Sequence, residues 1–325
     1  MNLARRKFLH LAAGTAVAPA FSRLASALDY PTRPVHMVVG FAAGGPLDTS
    51  ARLIAQGLSE RLGRQFIIEN RPGASSNLAA EQVVRARPDG YTLLICSAAN
   101  AWNGALYGDL GFDFSHEVVP VASYAQVPGV MEVNPTVPAR SVSDFITYAK
   151  ANPGKINMAS AGPGSLVGMF GELFKAMAGV DLVTVNYRGS APALPDLITG
   201  RMQVMFDVVS SSIGHIRAGK VRALAVTTAT RLDVLPDVPP IGDFVSGYEA
   251  IGWNGIGAPT NTPPEIVEIL NREVNAIVAE PKVKARLTEL GYTVFTGSPI
   301  EFGTFINGYT EKWGKLIRAA NLKPE

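Results

Sequence analysis

Two stretches of this chain place glycine between a short apolar run and the start of a helix, a combination that suits the capture of an anion. In the first, Val35–Val39 reads as a buried strand, residues 40–45 turn through Gly-Phe-Ala-Ala-Gly-Gly, and Pro46 and Leu47 open a helix. The apolar positions Leu47, Ala51, Ile54, Leu58 and Leu62 of that helix recur at helical spacing. In the second, residues 155–159 read as a strand, Ala161-Gly162-Pro163-Gly164 forms the turn, and a helix begins near Ser165. Its face carries Leu166, Met169, Phe170, Leu173, Phe174 and Met177. Where a strand empties into a helix start, several backbone N–H groups lack helical partners, and the positive end of the helix dipole lies beside them. Small residues let a ligand approach that backbone closely. Charge-assisted hydrogen bonds contribute roughly 1.5–3 kcal/mol each. Three or four donors from each stretch therefore support micromolar binding, about −8 kcal/mol, after ordering costs. No fixed cation is obligatory. Either stretch alone is a common feature of α/β proteins; the pair is what points to one acid, or both ends of a diacid, held between them.

A third stretch, Val185-Asn186-Tyr187-Arg188-Gly189-Ser190, ends a strand, turns and leads to Pro192 near a helix start. Arg188 could pair bidentately with a carboxylate, and Tyr187 could offer a hydroxyl or a ring wall. A surface arginine and a half-buried tyrosine are the plainer reading of the same residues. Asp207 closes the apolar run 203–206, where it orients a donor, makes a contact between lobes, or caps the next turn.

Signatures of catalysis are weak. His10, His36, His116 and His215 stand alone in the sequence, with no HExxH and no paired cysteines. There is no GxSxG elbow. Gly162-Pro163-Gly164 followed by Gly168 misses dinucleotide spacing, and Gly44-Gly45 lacks the Gly-Lys-Ser/Thr of a phosphate loop. No cofactor and no metal is expected.

The surrounding elements have to bring these stretches together. After the first helix come a strand near 66–69, the turn Asn70-Arg71-Pro72-Gly73, a helix over 77–86, the turn Arg87-Pro88-Asp89-Gly90 and a third strand over 91–96. This rhythm predicts an α/β lobe with a largely parallel sheet. Residues 98–118 are expected to be an irregular lid or packing loop. Residues 119–133 hold two strand-like pieces broken by Pro128, where the chain crosses to a second lobe. Ser141 and Asp144 cap a helix to about Ala151. A second α/β rhythm follows, with helices near 166–178, 192–199 and 210–218 and strands near 182–187, 203–206 and 221–227. Residues 235–248 form a returning loop, and 251–258 make a second crossover strand. Thr262-Pro263-Pro264-Glu265 and Ser298-Pro299-Ile300-Glu301 both read as capping-box starts of C-terminal helices. The expected architecture is α/β: two lobes joined by two crossovers, residues 28–125 with 249–325 as one and 126–248 as the other, and a cleft between them.

Composition narrows the setting. Of 325 residues, 47% are hydrophobic and 17% charged, enough for a sizeable core. The formal net charge of +2 arises at the N-terminus: residues 1–27 hold four basic and no acidic residues, so the remainder is slightly acidic. No basic field for nucleic acid or lipid remains. Residues 1–27 read as an export signal: Arg5-Arg6-Lys7, a mild apolar run, and the small-x-small site Ala25-Ser26-Ala27. Arg-Arg-x-Phe-Leu is similar to a twin-arginine signal, although Ala4 and His10 depart from it and leave the Sec route open. Cleavage near Ala27 places the mature chain in the periplasm. The lone Cys96, in an apolar run, excludes an internal disulfide and reads as a buried structural thiol.

At these residues the chain resembles the receptors of tripartite tricarboxylate transporters, the TctC-like or Bug family. The resemblance rests on Tyr30-Pro31-Thr32-Arg33-Pro34, Phe41-x-Ala43-Gly44-Gly45-Pro46-x-Asp48, Glu69-Asn70-Arg71-Pro72-Gly73-Ala74 and Pro88-Asp89-Gly90-Tyr91-Thr92-Leu93. It continues through Tyr187-Arg188-Gly189-Ser190-Ala191-Pro192-Ala193, Phe206-Asp207, Leu224-Ala225-Val226-Thr227 and Pro236-Asp237-Val238-Pro239. It implies a type II periplasmic-binding-protein fold closing on an organic acid. It also implies that the loop holding Phe41, Ala43, Gly44, Gly45 and Asp48 and the loop holding Ser160, Gly162, Gly164 and Ser165 grip a carboxylate. The strand end at Ser97 and the turn Tyr187, Arg188, Gly189 complete the pocket. The implied role is a monomeric receptor that carries a di- or tricarboxylate, or an aromatic or amino-acid carboxylate, to a membrane transporter. A sensor that docks on a membrane kinase, or a periplasmic hydrolase or isomerase using a serine or Asp207, is the alternative. Two departures from the family pattern, Leu47 and Ser165-Leu166-Val167-Gly168, remove polar groups and point to a less polar ligand.

Overall fold

The computed structural model describes residues 29–319 and 321–323, so the expected export signal lies outside the described residues. The chain begins with β1 (Val35–Val39), α1 (Pro46–Leu62) and β2 (Phe66–Asn70). A 3-10 turn (Ala74–Ser76) leads into α2 (Asn77–Val84), β3 (Thr92–Ser97), α3 (Ala98–Tyr107), α4 (Phe114–Glu117) and β4 (Val118–Val133). The middle of the chain supplies α5 (Val142–Ala151), β5 (Asn157–Ser160), α6 (Leu166–Ala178), β6 (Val183–Asn186), α7 (Ser190–Ile198), β7 (Val204–Val208), α8 (Val209–Arg217) and β8 (Arg222–Val226). The last part holds β9 (Ile251–Pro259), α9 (Pro264–Ala279), α10 (Pro281–Glu289), β10 (Thr293–Val294) and α11 (Pro299–Ala319).

The local chemistry of α1 and α6 explains their limits. Pro46 sits at the first turn of α1, where its missing N–H costs nothing, and Gly63 ends the helix at a φ of 67°. Ser165 caps α6 by accepting from the Gly168 amide, and Gly179 ends it at a φ of 62°. In both, the apolar stripe faces the sheet, with Leu47, Ala51, Ile54 and Leu58 of α1 and Met169, Phe170, Leu173 and Phe174 of α6 buried.

The strands run in the order β2-β1-β3-β9-β4-β7-β5-β6, and β10 and β8 also pair with β4. In the first lobe β1 pairs in parallel with β2 and β3, and β9 runs antiparallel between β3 and the first part of β4. In the second lobe β5 pairs in parallel with β6 and β7, and the last residues of β4 run antiparallel to β7 and β8. Parallel strands joined through helices put both glycine turns at carboxyl ends of strands, where open α/β sheets bind ligands.

Four expectations need correction. Residues 98–118 are not an irregular loop: they fold into α3 and α4, with Trp102 buried against Tyr309 and Trp313 of α11 at ring-centroid distances of 5.8 and 5.1 Å. Residues 119–133 are not two pieces. β4 runs unbroken through Pro128, because this residue lies where the strand leaves β9 (Pro128 beside Ile251) and takes up β7 (Gly129 beside Val208), so a missing N–H breaks no ladder there. β9 pairs only within the first lobe, so the return crossing is the chain just before it, where the Ala250 amide donates to the Thr227 carbonyl at 2.9 Å. Thr262 does not cap α9: its hydroxyl donates to Pro259 O at 2.7 Å, and the helix starts from Pro263 with no side-chain cap. The second expected capping box does form, with Ser298 and Glu301 exchanging side-chain and backbone hydrogen bonds. Cys96 is buried in β3, where burial pushes its thiol pKa up.

Candidate functional site

The first glycine loop follows β1. Phe41 is exposed, Gly44 holds a φ of 79° and Gly45 is the N-cap of α1. Asp48, two residues into the helix beyond Pro46, turns its carboxylate back under the loop and is buried. It accepts from the Gly44 amide (2.9 Å), from Arg52 Nε and its terminal nitrogen (2.9 and 3.0 Å) and from Asn70 Nδ2 (2.8 Å). Asn70 Nδ2 also donates to the Phe41 carbonyl at 3.0 Å. Burial would raise the Asp48 carboxyl, but the bonds from Arg52, the Gly44 amide and Asn70, with the Arg52 charge, hold it below the ordinary carboxylate range. Asp48 therefore braces the loop from behind. Among the described residues, no acceptor lies against the amides of Ala43, Leu47 and Asp48.

The second loop follows β5 and is braced in a similar way. Ser160 Oγ accepts from the Gly162 amide at 3.2 Å, while Ser165 Oγ donates to Gly162 O at 2.6 Å and accepts from the Gly168 amide at 3.0 Å. Gly162 and Gly164 hold φ values of 104° and 69°. The amides of Gly164, Leu166 and Val167 find no acceptor among the described residues. Gly168, in the first turn of α6, lies against this loop. A Cβ there would stand 2.8 Å from Ser160 Oγ and 2.9 Å from Gly162 O, so a glycine at this position lets the loop fold down onto α6.

The third turn packs beside the second loop, the Tyr187 amide donating to Ser160 O at 2.8 Å. Tyr187 gives its hydroxyl to Asp196 Oδ2 at 2.7 Å; burial and that bond push its pKa up to about 12. Arg188 is exposed and makes no ion pair with any described residue, and Gly189, with a φ of 112°, is the N-cap of α7. Asp207 is fully buried at the foot of this turn, where it accepts from Ser190 Oγ, the Val208 amide (2.8 Å) and Ser212 Oγ (2.9 Å). Ser97 ends β3 and caps α3 through a box with Asn100.

What joins the two glycine loops was absent from the expected site. Trp102 Nε1 of α3, in the first lobe, donates to the Gly164 carbonyl of the second at 3.0 Å. A Cβ on Gly164 would stand 2.6 Å from Leu106 Cδ2 and 3.6 Å from Ser75 Oγ. Ser76 lies so close to Gly40, at the start of the first loop, that a Cβ there would fall 2.0 Å from its Oγ. The segment 74–76 thus borders both loops. Ser97-x-x-Asn100, a capping-box spacing, was the sequence signal for α3. A cavity of about 550 Å3 opens elsewhere, between α11 and residues 249–251, and no residue of either glycine loop lines it. Among the described residues no group of three His, Cys, Asp or Glu side chains is placed to hold a metal ion.

Comparison with known proteins bears on the same site. The family model described as the tripartite tricarboxylate transporter family receptor matches residues 50–322. The chain belongs to this receptor family. A protein of the tcbD-tcbE intergenic region of Pseudomonas sp. strain P51 is 38% identical over 320 residues, 97% of this chain and 94% of that one. The structure of R. palustris Rpa4515 with adipate superposes with a TM-score of 0.83 at 38% identity, covering 91% of this chain and 100% of the other. MatC of Rhodopseudomonas palustris, with bound malate, superposes with a TM-score of 0.78 at 32% identity, covering 89% and 100%. The periplasmic binding protein BugD superposes with a TM-score of 0.80 at 33% identity, covering 91% of this chain and 100% of the other, and its two-lobed α/β architecture is the architecture of this TctC-family chain.

Proposed function

We infer that this TctC-family receptor is exported to the periplasm, closes as a monomer on a small organic carboxylate, and delivers it unchanged to a tripartite tricarboxylate-type membrane transporter. One observation carries the reading: two helix starts, each with amides that find no acceptor among the described residues, border the same segment at residues 74–76. Adipate and malate in the related receptors support an acid as the ligand. In this reading Phe41, Ala43, Gly44 and Gly45 line the first cradle and Ser160, Gly162, Gly164 and Ser165 the second. Ser97, Tyr187, Arg188 and Gly189 border the pocket, and Asp48 and Asp207 act by fixing the loops. With lobes drawn at 28–125 plus 249–325 and at 126–248, closure is a hinge motion about β4 and the return at residues 249–250.

Isothermal titration and thermal unfolding against a panel of mono-, di- and tricarboxylates test this. At least one acid is expected to bind with a micromolar Kd. At a hundredfold excess over Kd it stabilises the fold by about 2.7 kcal/mol, a rise of a few degrees in Tm. Silence across the whole panel would contradict the reading.

A further inference from the structure

Beside the second glycine loop, one buried donor and one buried acceptor find no partner among the described residues. Asn103, on α3, gives both protons of its Nδ2 away, to Ser75 O and to Asn77 Oδ1, each at 2.7 Å. A carbonyl can only accept, so this network fixes which atom of each amide is nitrogen. Asn103 Oδ1 and Asn77 Nδ2 are left over, on residues that are 0% and 6% exposed. Asn103 Oδ1 faces the second loop, 3.9 Å from where a Cβ on Gly164 would stand. Leaving such groups unpaired is costly, and a bound group of the right chemistry recovers that cost.

The surroundings decide that chemistry. Ser76 accepts from Asn100 Nδ2 at 3.3 Å, and Ser75 meets the Tyr107 hydroxyl at 3.3 Å. Ser75, Ser76, Asn77, Asn100, Asn103 and Tyr107 are all uncharged, and among the described residues no cation bonds to any of them. An ionised carboxylate only accepts; it would serve Asn77 Nδ2 and be repelled by Asn103 Oδ1. A hydroxyl or a primary amide both accepts and donates. We propose that Asn77 and Asn103 read the far end of the ligand, and that the group they read is a neutral hydroxyl or amide rather than a second carboxylate. The preferred ligand is then a hydroxy acid or an amide acid, its single carboxylate held by the glycine loops. This rests on the carboxylate reading above and narrows it.

The test compares, by titration calorimetry on the wild-type protein, ω-hydroxy acids and ω-amide acids of three to six carbons with α,ω-diacids and plain monoacids of matched length. At the best length the hydroxy or amide acid is expected to bind at least about tenfold tighter than both controls, the worth of one hydrogen bond between neutral groups. Asn103→Ala is expected to bring it down to the monoacid's affinity. Diacids or monoacids binding equally well or better would overturn the inference and leave the carboxylate reading standing. No binding by any acid would overturn both. A preference that survives in Asn103→Ala would remove Asn103 from the role. Should that variant not fold, the wild-type ranking still decides.

Discussion

Glu132→Gln is expected to stabilise the folded chain at pH 8 by about 1–3 kcal/mol and to flatten its stability against pH. Glu132 of β4 and Asp207 of β7 are both fully buried, and Ser212 Oγ stands between them, 2.7 Å from Glu132 Oε1 and 2.9 Å from Asp207 Oδ2. One hydroxyl proton cannot serve two carboxylates. The arrangement closes if Glu132 keeps its proton and donates to Ser212, which donates to Asp207. Asp207, with two further donors from Ser190 and Val208, is the better seat for the charge. Among the described residues no cation acts on either group. Arg222 on the adjacent strand β8 is turned to the carbonyls of Pro135, Val137 and Ala139. Burial, and for Glu132 also the Asp207 charge, raise both carboxyl pKa values, that of Asp207 to about 6. The sign follows from proton counting. Above the unfolded carboxylate range near 4, the unfolded chain has released protons that the folded chain still holds, so stability falls as pH rises through the folded values. The loss begins above about pH 4 and continues through about pH 6. A glutamine keeps the donor to Ser212 and removes one titrating group. Urea unfolding of both proteins from pH 4 to 8 checks this; a variant less stable than wild type at pH 8 would contradict it.

Asp48→Ala is expected to weaken acid binding by tenfold or more and to destabilise the fold by about 1–3 kcal/mol. The truncation strips the Gly44 amide and Asn70 of their acceptor beneath the first loop, while Arg52, half exposed, recovers water. The loop then loses the backbone shape that aims its free amides, so affinity falls along with stability. The pH signature is opposite to that of the Glu132–Asp207 pair. The Asp48 carboxyl is lowered, so its contribution is complete above the unfolded range near 4 and disappears only as pH falls through its folded value. Calorimetry and urea unfolding at pH 7 and pH 4 measure both effects; undiminished affinity in Asp48→Ala would detach the loop from the site.

The glycine loops and their helices were legible because their signals are local. Pro46 and Gly63 mark the ends of α1, Ser165 and Gly179 those of α6, and an apolar stripe runs along each. The rest depended on tertiary context. The chain Ala98 to Tyr107 carries two asparagines and a glycine that mask its helix-forming alanines and the capping-box start at Ser97, and Trp102 commits it to the core through α11 and Gly164. Pro128 reads as a strand breaker unless the exchange of partners around it is known. Nothing in Ala74-Ser75-Ser76 announces three consecutive positive φ values, 46°, 49° and 77°; Asn100 and Asn103 hold that segment from another element. The seam that joins the two cradles is therefore the part that a linear reading left out.

Backbone amide shifts, followed by heteronuclear NMR while one carboxylate that binds is titrated in, test the central claim most directly. Ala43 and Leu47 at the start of α1 and Gly164 and Leu166 at the start of α6 are expected to move downfield together, along curves that fit one Kd. Movement confined to one of the two loops, or to neither, would mean that the acid is not held between them.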